Sequence, residues 1–509
     1  MRYDAIIIGA GMSGLAAGIR LAMFEKRVVI LEKHYVWGGL NSFYQFKGRQ
    51  FDVGLHAMTN YVKRGSRGKP LTRLLKQLRL RHEQLDLHEQ SFSLISFPSA
   101  RMRFDNDFET LRSEVRRAFP HEIEGFDALT REITNFNELD LDAPQVSARE
   151  IVQRHLREPL LQDMLFCPLM FYGSAREHDM DWDQFVVMWK SIYMEGFARP
   201  QQGVRHVLSL LTNRYRELGG ELRLRAGVKR ILTRENDAVG VELDSGEVIE
   251  ADNILSSAGL VETARLSEPA ASAAGLVPLQ AVNPIAHAMG SETGKLSFTE
   301  TISVLDAPPQ TDATIIFFSN RDRFEYRCPD DLCDVDSGVI CMPQNFKLPK
   351  PIDPLVRITN IANFAKWAAL SSSGDSGVTV PKAWRDSSSG VRHPAPEPRI
   401  SNLGYRGAKQ HWYERSVAAV SPAHLPHFGP RVQLVDMFTP RTIKHFTGHE
   451  GGAVYGSPRK SRTGETGIKG LTIMGTDQGF LGIIGAALSG ISMANRWVLK
   501  EQAVSEPAA

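Results

Sequence analysis

The 509-residue sequence predicts an α/β protein in which a discontinuous domain with a parallel, Rossmann-like sheet carries a mixed α/β domain inserted between its segments. Three stretches predict it. Asp4 to Glu32 reads as strand, glycine turn, helix and second strand. Gln202 to Gly259 returns as a helix followed by strands, and Leu471 to Lys500 again passes from an apolar strand through glycines into a helix.

Ala5 to Ile8 is an apolar run short enough for a buried parallel strand. Gly9, Ala10, Gly11, Met12, Ser13 and Gly14 then give G-x-G-x-x-G where a helix opens. Gly9 permits the tight turn, Gly11 lets backbone approach a pyrophosphate, and Gly14 lets the helix pack on the strand. Phosphate charge at such a turn rests on free N–H groups at the helix N-terminus. Val28 to Leu31 forms the next strand, and Glu32 follows where a carboxylate accepts hydrogen bonds from an adenosine ribose and disfavours a 2′-phosphate. A lone fingerprint is often only a glycine-rich turn; the second strand and its terminal acid make this one a dinucleotide site.

The chain is too long for one ordinary core, so two or more domains are expected. Lys+Arg 60 against Asp+Glu 58 leaves a formal charge of +2, which argues against a general nucleic-acid role. Cys167, Cys328, Cys333 and Cys341 contain no C-x-x-C pair and are too sparse for a disulfide scaffold, so a reducing cytoplasm is expected. The first strand begins so near Met1 that no signal peptide is expected, and no apolar run reaches the ~18 residues of a transmembrane helix. Membrane contact would be peripheral, on the inner face.

After Glu32, Gly38-Gly39 makes a turn ahead of an alternating stretch at Ser42 to Phe46, and a hairpin around Gly48 returns through Phe51 to Val53. E-K-x(4)-G-G from Glu32 and Lys33, followed by F-D-x-G-x-H from Phe51, resembles the phytoene desaturase, carotenoid isomerase and retinol saturase group of FAD enzymes. The resemblance implies that FAD is the dinucleotide, that Gly39, Leu40 and Asn41 lie along it, and that Gly54, Leu55 and His56 reach its flavin end. His56 is then a cofactor-positioning residue or a proton donor.

Tyr61 to His82 carries Lys63, Arg64, Arg67, Lys69, Arg73, Lys76, Arg79 and Arg81 and no acid. Leu71, Leu74, Leu75 and Leu78 share one helical face, which fits either a membrane-surface helix or an ordinary helix packed on the core. From Leu85 to Pro200 the sequence reads as helices and irregular segments. The aromatic stretch Trp182 to Phe197 would line an apolar tunnel or, the commoner case, fill a core.

The Gln202 helix leads to strands at Glu221 to Arg225 and Val228 to Arg234, a hairpin of Val239 to Leu243 and Val248 to Ile249 through Ser245-Gly246, and a strand from Ala251 to Gly259 ending in small residues. This order resembles the middle FAD-binding segment of the same group, in which the residue at Val228 meets adenine. Short β-rich runs between Gln280 and Phe346 predict a second sheet, and the Ser, Gly and Pro content of 371–399 predicts a mobile insertion.

In the C-terminal stretch, G-x-D-x(4)-G-x-x-G-A at Gly475 to Ala486 resembles retinol saturases and carotenoid isomerases more than phytoene desaturases, which tend to carry a proline in this turn. The resemblance places Gly475, Asp477, Gly482, Ile483 and Ile484 at the cofactor, with Asp477 toward its ribityl or phosphate region. GHEGGAVYG from Gly448 resembles the turn preceding this motif, and Glu450 within it is a second candidate for the catalytic cavity. His445, His449 and Glu450 lack the H-E-x-x-H order, so no metal is expected, and no G-x-S-x-G elbow appears.

These readings assign residues 1–84, 201–266 and 426–509 to FAD and 85–200 and 267–425 to the substrate. The expected activity is redox chemistry or isomerisation at C=C bonds of a long apolar polyene, a carotenoid or other isoprenoid. An external electron donor or acceptor is expected, since no second G-x-G-x-x-G unit with its own strand and acid is evident in the sequence. Desaturation, amine oxidation and a non-catalytic prenyl or lipid carrier are the alternatives on the same fold.

Overall fold

The computed structural model describes residues 2–54, 57–138, 145–267, 292–371, 378–381, 404–421 and 423–500. Its first seven-stranded sheet is centred on β1 (Tyr3–Ile8), flanked in parallel by β2 (Val28–Leu31) and by the strand Val248–Ser256. Glu221–Arg223 extends the sheet beyond β2, and Leu471–Ile473 pairs in parallel with Val248–Ser256. The unbroken apolar run of β1 reflects burial on both faces: Ala5 and Ile7 pack under α1 (Met12–Ala22), while Ile6 and Ile8 enter the core on the other side. Val248–Ser256 joins into one strand the two expected there, and ends three residues before Gly259. It leaves the hairpin with Asp237–Leu243 and continues as the parallel neighbour of β1.

The N- and C-terminal segments lock together through glycines. A Cβ on Gly14 would stand 2.0 Å from the Gly9 carbonyl oxygen, and one on Gly490 would stand 2.0 Å from that of Ser13. The helix Gly482–Met493 therefore crosses α1 at backbone distance, a contact that any side chain would wedge apart.

The second sheet runs in the order Val432–Phe438, Ser297–Leu305, Leu355–Ala362, Ser337–Cys341, Ile315–Ser319, Ser93–Ser96 and Arg101–Phe104. Two of its strands lie where helices and irregular segments were expected. Ser93–Ser96 is a four-residue run that becomes a strand only by pairing in parallel with Ile315–Ser319, at Ser93↔Ile315 and onward, a partner far along the chain. Val432–Phe438, grouped above with the cofactor segments, pairs instead with Ser297–Leu305.

The aromatic stretch takes its ordinary role. Trp182, Phe185, Trp189, Tyr193 and Phe197 are all buried in one core cluster, the first four in successive ring contact and Phe197 against Phe104 and Phe317, and none lines the cavity described below. The membrane-surface reading of the leucine face is corrected: α2 (Pro70–Leu78) buries Leu71, Leu74, Leu75 and Leu78 against α1 and Gly482–Met493, so no apolar face remains for a bilayer. Among the described residues no helix is long and apolar enough to cross a membrane. Most of the expected insertion at 371–399 lies outside the described residues; within it, Val378 and Val380 are buried in the core behind the second sheet.

Candidate cofactor and substrate site

One cavity of about 530 Å³ has walls drawn from both sheets. Of the residues proposed from sequence, it brings together Gly9, Gly11, Met12, Ser13, Glu32, Lys33, Gly39, Leu40, Asn41, Gly54, Val228, Glu450, Gly475, Asp477, Gly482 and Ile483. Three do not line it: Ala10 and Ile484 are buried in the core around α1, and Gly14 sits against the Gly9 carbonyl. Leu55 and His56 lie outside the described residues.

The turn after β1 is shaped for close approach. Gly9 has φ +95°, and a Cβ there would stand 2.5 Å from Ser257 Oγ. A Cβ on Gly11 would meet nothing within 4 Å, and one on Gly39 would stand 3.8 Å from the Gly11 Cα. Bare backbone at the α1 N-terminus therefore borders the cavity, the arrangement a pyrophosphate requires. Glu32 accepts from the Ala10 N–H at 2.8 Å and the His34 N–H at 2.9 Å. It braces the turn, and its remaining lone pairs can still accept from ribose hydroxyls. The site thus fits FAD on its own geometry.

Asp477 has a part the sequence did not reveal. It is buried, and its carboxylate accepts from the Leu260 N–H at 2.6 Å, the Ser457 N–H at 2.8 Å and Lys460 Nζ at 3.2 Å. The carboxylate expected to face the ribityl or phosphate region therefore joins three cavity-wall segments of the protein. Lys460 is equally buried and also donates to the Tyr455 carbonyl at 2.6 Å; burial pulls its ammonium below the usual range, against the opposing pull of Asp477.

On the second-sheet side, the wall is Phe171, Tyr172, Phe298, Phe438 and Tyr455, joined by the polar Thr299, Glu300 and Thr359. Behind it lies a buried charge network. Arg357 pairs with Glu300 at 2.7 Å and donates to the Asp52 carbonyl at 3.0 Å, while the Asp52 carboxylate pairs with Arg199 at 2.9 Å. Glu300 also accepts from the Gly54 N–H at 3.2 Å. Burial pushes the Glu300 carboxyl up, opposed by Arg357. The acid in F-D-x-G-x-H is therefore a clamp tying that loop to the second sheet. Sequence reading missed Glu300 and Arg357, which sit in ordinary strand patterns far from any motif; only Tyr455, inside GHEGGAVYG, carried a signal.

Glu450 reaches the cavity, but its carboxylate is engaged by Lys444 and Arg265, and His449 Nδ1 stands 3.7 Å from Glu262. Among the described residues no His, Cys, Asp and Glu group is arranged to hold a metal ion.

This chain is similar to prolycopene isomerase of Arabidopsis thaliana, 26% identical over 286 residues, covering 50% of this chain and 47% of that protein. It is likewise 26% identical over 298 residues to the all-trans-retinol 13,14-reductase of Danio rerio, covering 51% and 49% respectively. The alignments thus span about half the length of these curated relatives. An oxidoreductase of Methanosarcina mazei has the same fold across 97% of this chain and 100% of its own, with a TM-score of 0.60 at 15% identity. Residues 12–331 match the pattern of one family over more than half the sequence, and the chain belongs to it: the flavin containing amine oxidoreductases.

Proposed function

We propose that the protein is an FAD-dependent oxidoreductase or isomerase acting on C=C bonds of a long apolar polyene, a carotenoid or related isoprenoid. One observation carries the reading: the glycine-walled nucleotide turn and the aromatic wall of Phe171, Tyr172, Phe298 and Tyr455 border the same cavity. When bound, the flavin supplies the electrons or the hydride. The chain's own part is to hold the dinucleotide on the α1 N-terminus, to keep Gly54 in place through Glu300, and to present a largely aromatic wall to the substrate. The likeness to the isomerase and the reductase supports a polyene.

The C-terminal turn without proline favours isomerisation or saturation over desaturation. Protein reduced without oxygen, by an external donor, is expected to convert a long polyene, and oxidised protein is not; product mass separates isomerisation, which adds no hydrogen, from saturation, which adds two. Desaturation by the oxidised protein alone, with none when reduced, would falsify this direction.

The protein is further proposed to be cytoplasmic and to meet an anionic membrane surface by charge alone. With the leucines of α2 buried, the support is its exposed basic face: Lys63, Arg67, Arg73, Lys76, Arg79 and Arg81 have no acid at ion-pair distance among the described residues. At about 1 kcal/mol per basic residue near such a surface, several together suffice for reversible attachment. Replacing Arg73, Lys76 and Arg79 by Glu should cut sedimentation with anionic liposomes at low salt; unchanged sedimentation would show that this face is not used.

A further inference from the structure

We propose that Lys460 and Asp477 form a charge-balanced pair in the cavity wall, and that Lys460 is a positioning residue whose charge sets the redox potential of the bound flavin. The pair is 3.2 Å apart, and each side chain is 2% exposed. Asp477 lines the cavity, as do Tyr455 and Gly456; from behind, Lys460 donates to the Tyr455 carbonyl and Asp477 accepts from the Ser457 N–H. Gly456 has φ +68°, and a Cβ there would stand 2.1 Å from Asp477 Oδ1, so the carboxylate fills space that a side chain would take.

The neighbouring acids have cations of their own. Asp181 pairs with Arg176 at 2.7 Å, and Asp183 pairs with Arg462. Lys460 is therefore the counter-charge of Asp477, and its loss would leave a buried carboxylate at the wall with only the Leu260 and Ser457 N–H groups to stabilise it. Field from an unbalanced charge is poorly screened in such a site. A flavin gains negative charge on reduction, so an added negative charge opposes reduction and an added positive charge assists it.

The inference rests on the flavin and not on the polyene, and its test uses no substrate. The potential of the bound flavin is measured by spectroelectrochemical titration in K460Q, D477N, the double variant and K460R. K460Q should lower it and D477N should raise it, each by about tenfold in the reduction equilibrium, about 30 mV for a two-electron couple. The double variant should return toward the original value, and K460R should keep it. Shifts of the same sign in K460Q and D477N, or no shift, overturn the proposal, because a merely structural pair would loosen the site alike from either side. Should K460Q fail to fold with FAD, D477N and the double variant decide: a double variant that stays at the D477N value overturns it. Should D477N also fail, K460R decides: a potential unlike the original overturns the proposal, and an unchanged one supports it.

Discussion

Gly11→Val is expected to give a folded protein that purifies without flavin. The protein leaves room for the start of the new side chain, since a Cβ on Gly11 would meet nothing within 4 Å. That space is the cavity, bordered by Gly39 and the first residues of α1. A branched side chain there occupies the position of the pyrophosphate, and its stiffness at χ1 leaves it no way to swing clear. The effect should fall on binding and not on folding, because Gly11 does not share the packing burden of Gly14. Flavin absorbance per protein is the measurement, alongside a melting curve of the apoprotein. A folded variant with stoichiometric FAD would show that the turn after β1 is not the pyrophosphate site.

Arg357→Met should destabilise the chain by about 3–5 kcal/mol, the usual consequence of removing one partner of a buried ion pair. Arg357 and Glu300 have side chains 4% and 7% exposed, so the orphaned carboxylate cannot recover its hydration. Its remaining partner is the Gly54 N–H, and the Asp52 carbonyl loses its donor as well. Adding Glu300→Gln should restore most of the loss, because a neutral amide costs far less to bury than a charge. Denaturant unfolding of the single and double variants checks both statements. A loss below about 1 kcal/mol for Arg357→Met would mean that the network is dispensable, as exposed pairs often are.

The cofactor half of the site was largely legible because its signals are local. Turn, helix start and close approach are demands on consecutive backbone positions, so Gly9 and Gly11 could be read from spacing, whereas Gly39 was placed by the family resemblance. Even there, side-chain roles escaped: Glu32 and Asp477 were placed at the cavity, yet whom each carboxylate contacts depends on N–H groups from other segments. The second-sheet half was scarcely legible. Glu300, Thr359, Tyr172 and Phe298 meet only after strands from distant parts of the chain are laid side by side.

By itself, then, the sequence determined the parallel sheet, the dinucleotide turn and the helix face of α2, since strand period, glycine position and helix period are properties of neighbouring residues. The tertiary structure decided what each exposed option became. The leucines of α2 went to the core because α1 and Gly482–Met493 offered an apolar surface to cover. The aromatics of 182–197 filled a core because the helices and strands around them closed over it, and Asp52, Glu300 and Asp477 became clamps because arginines, a lysine and N–H groups from far along the chain arrived within hydrogen-bond reach. Burial and charge pairing are set by what faces a residue across the fold, and local sequence carries no record of that neighbour.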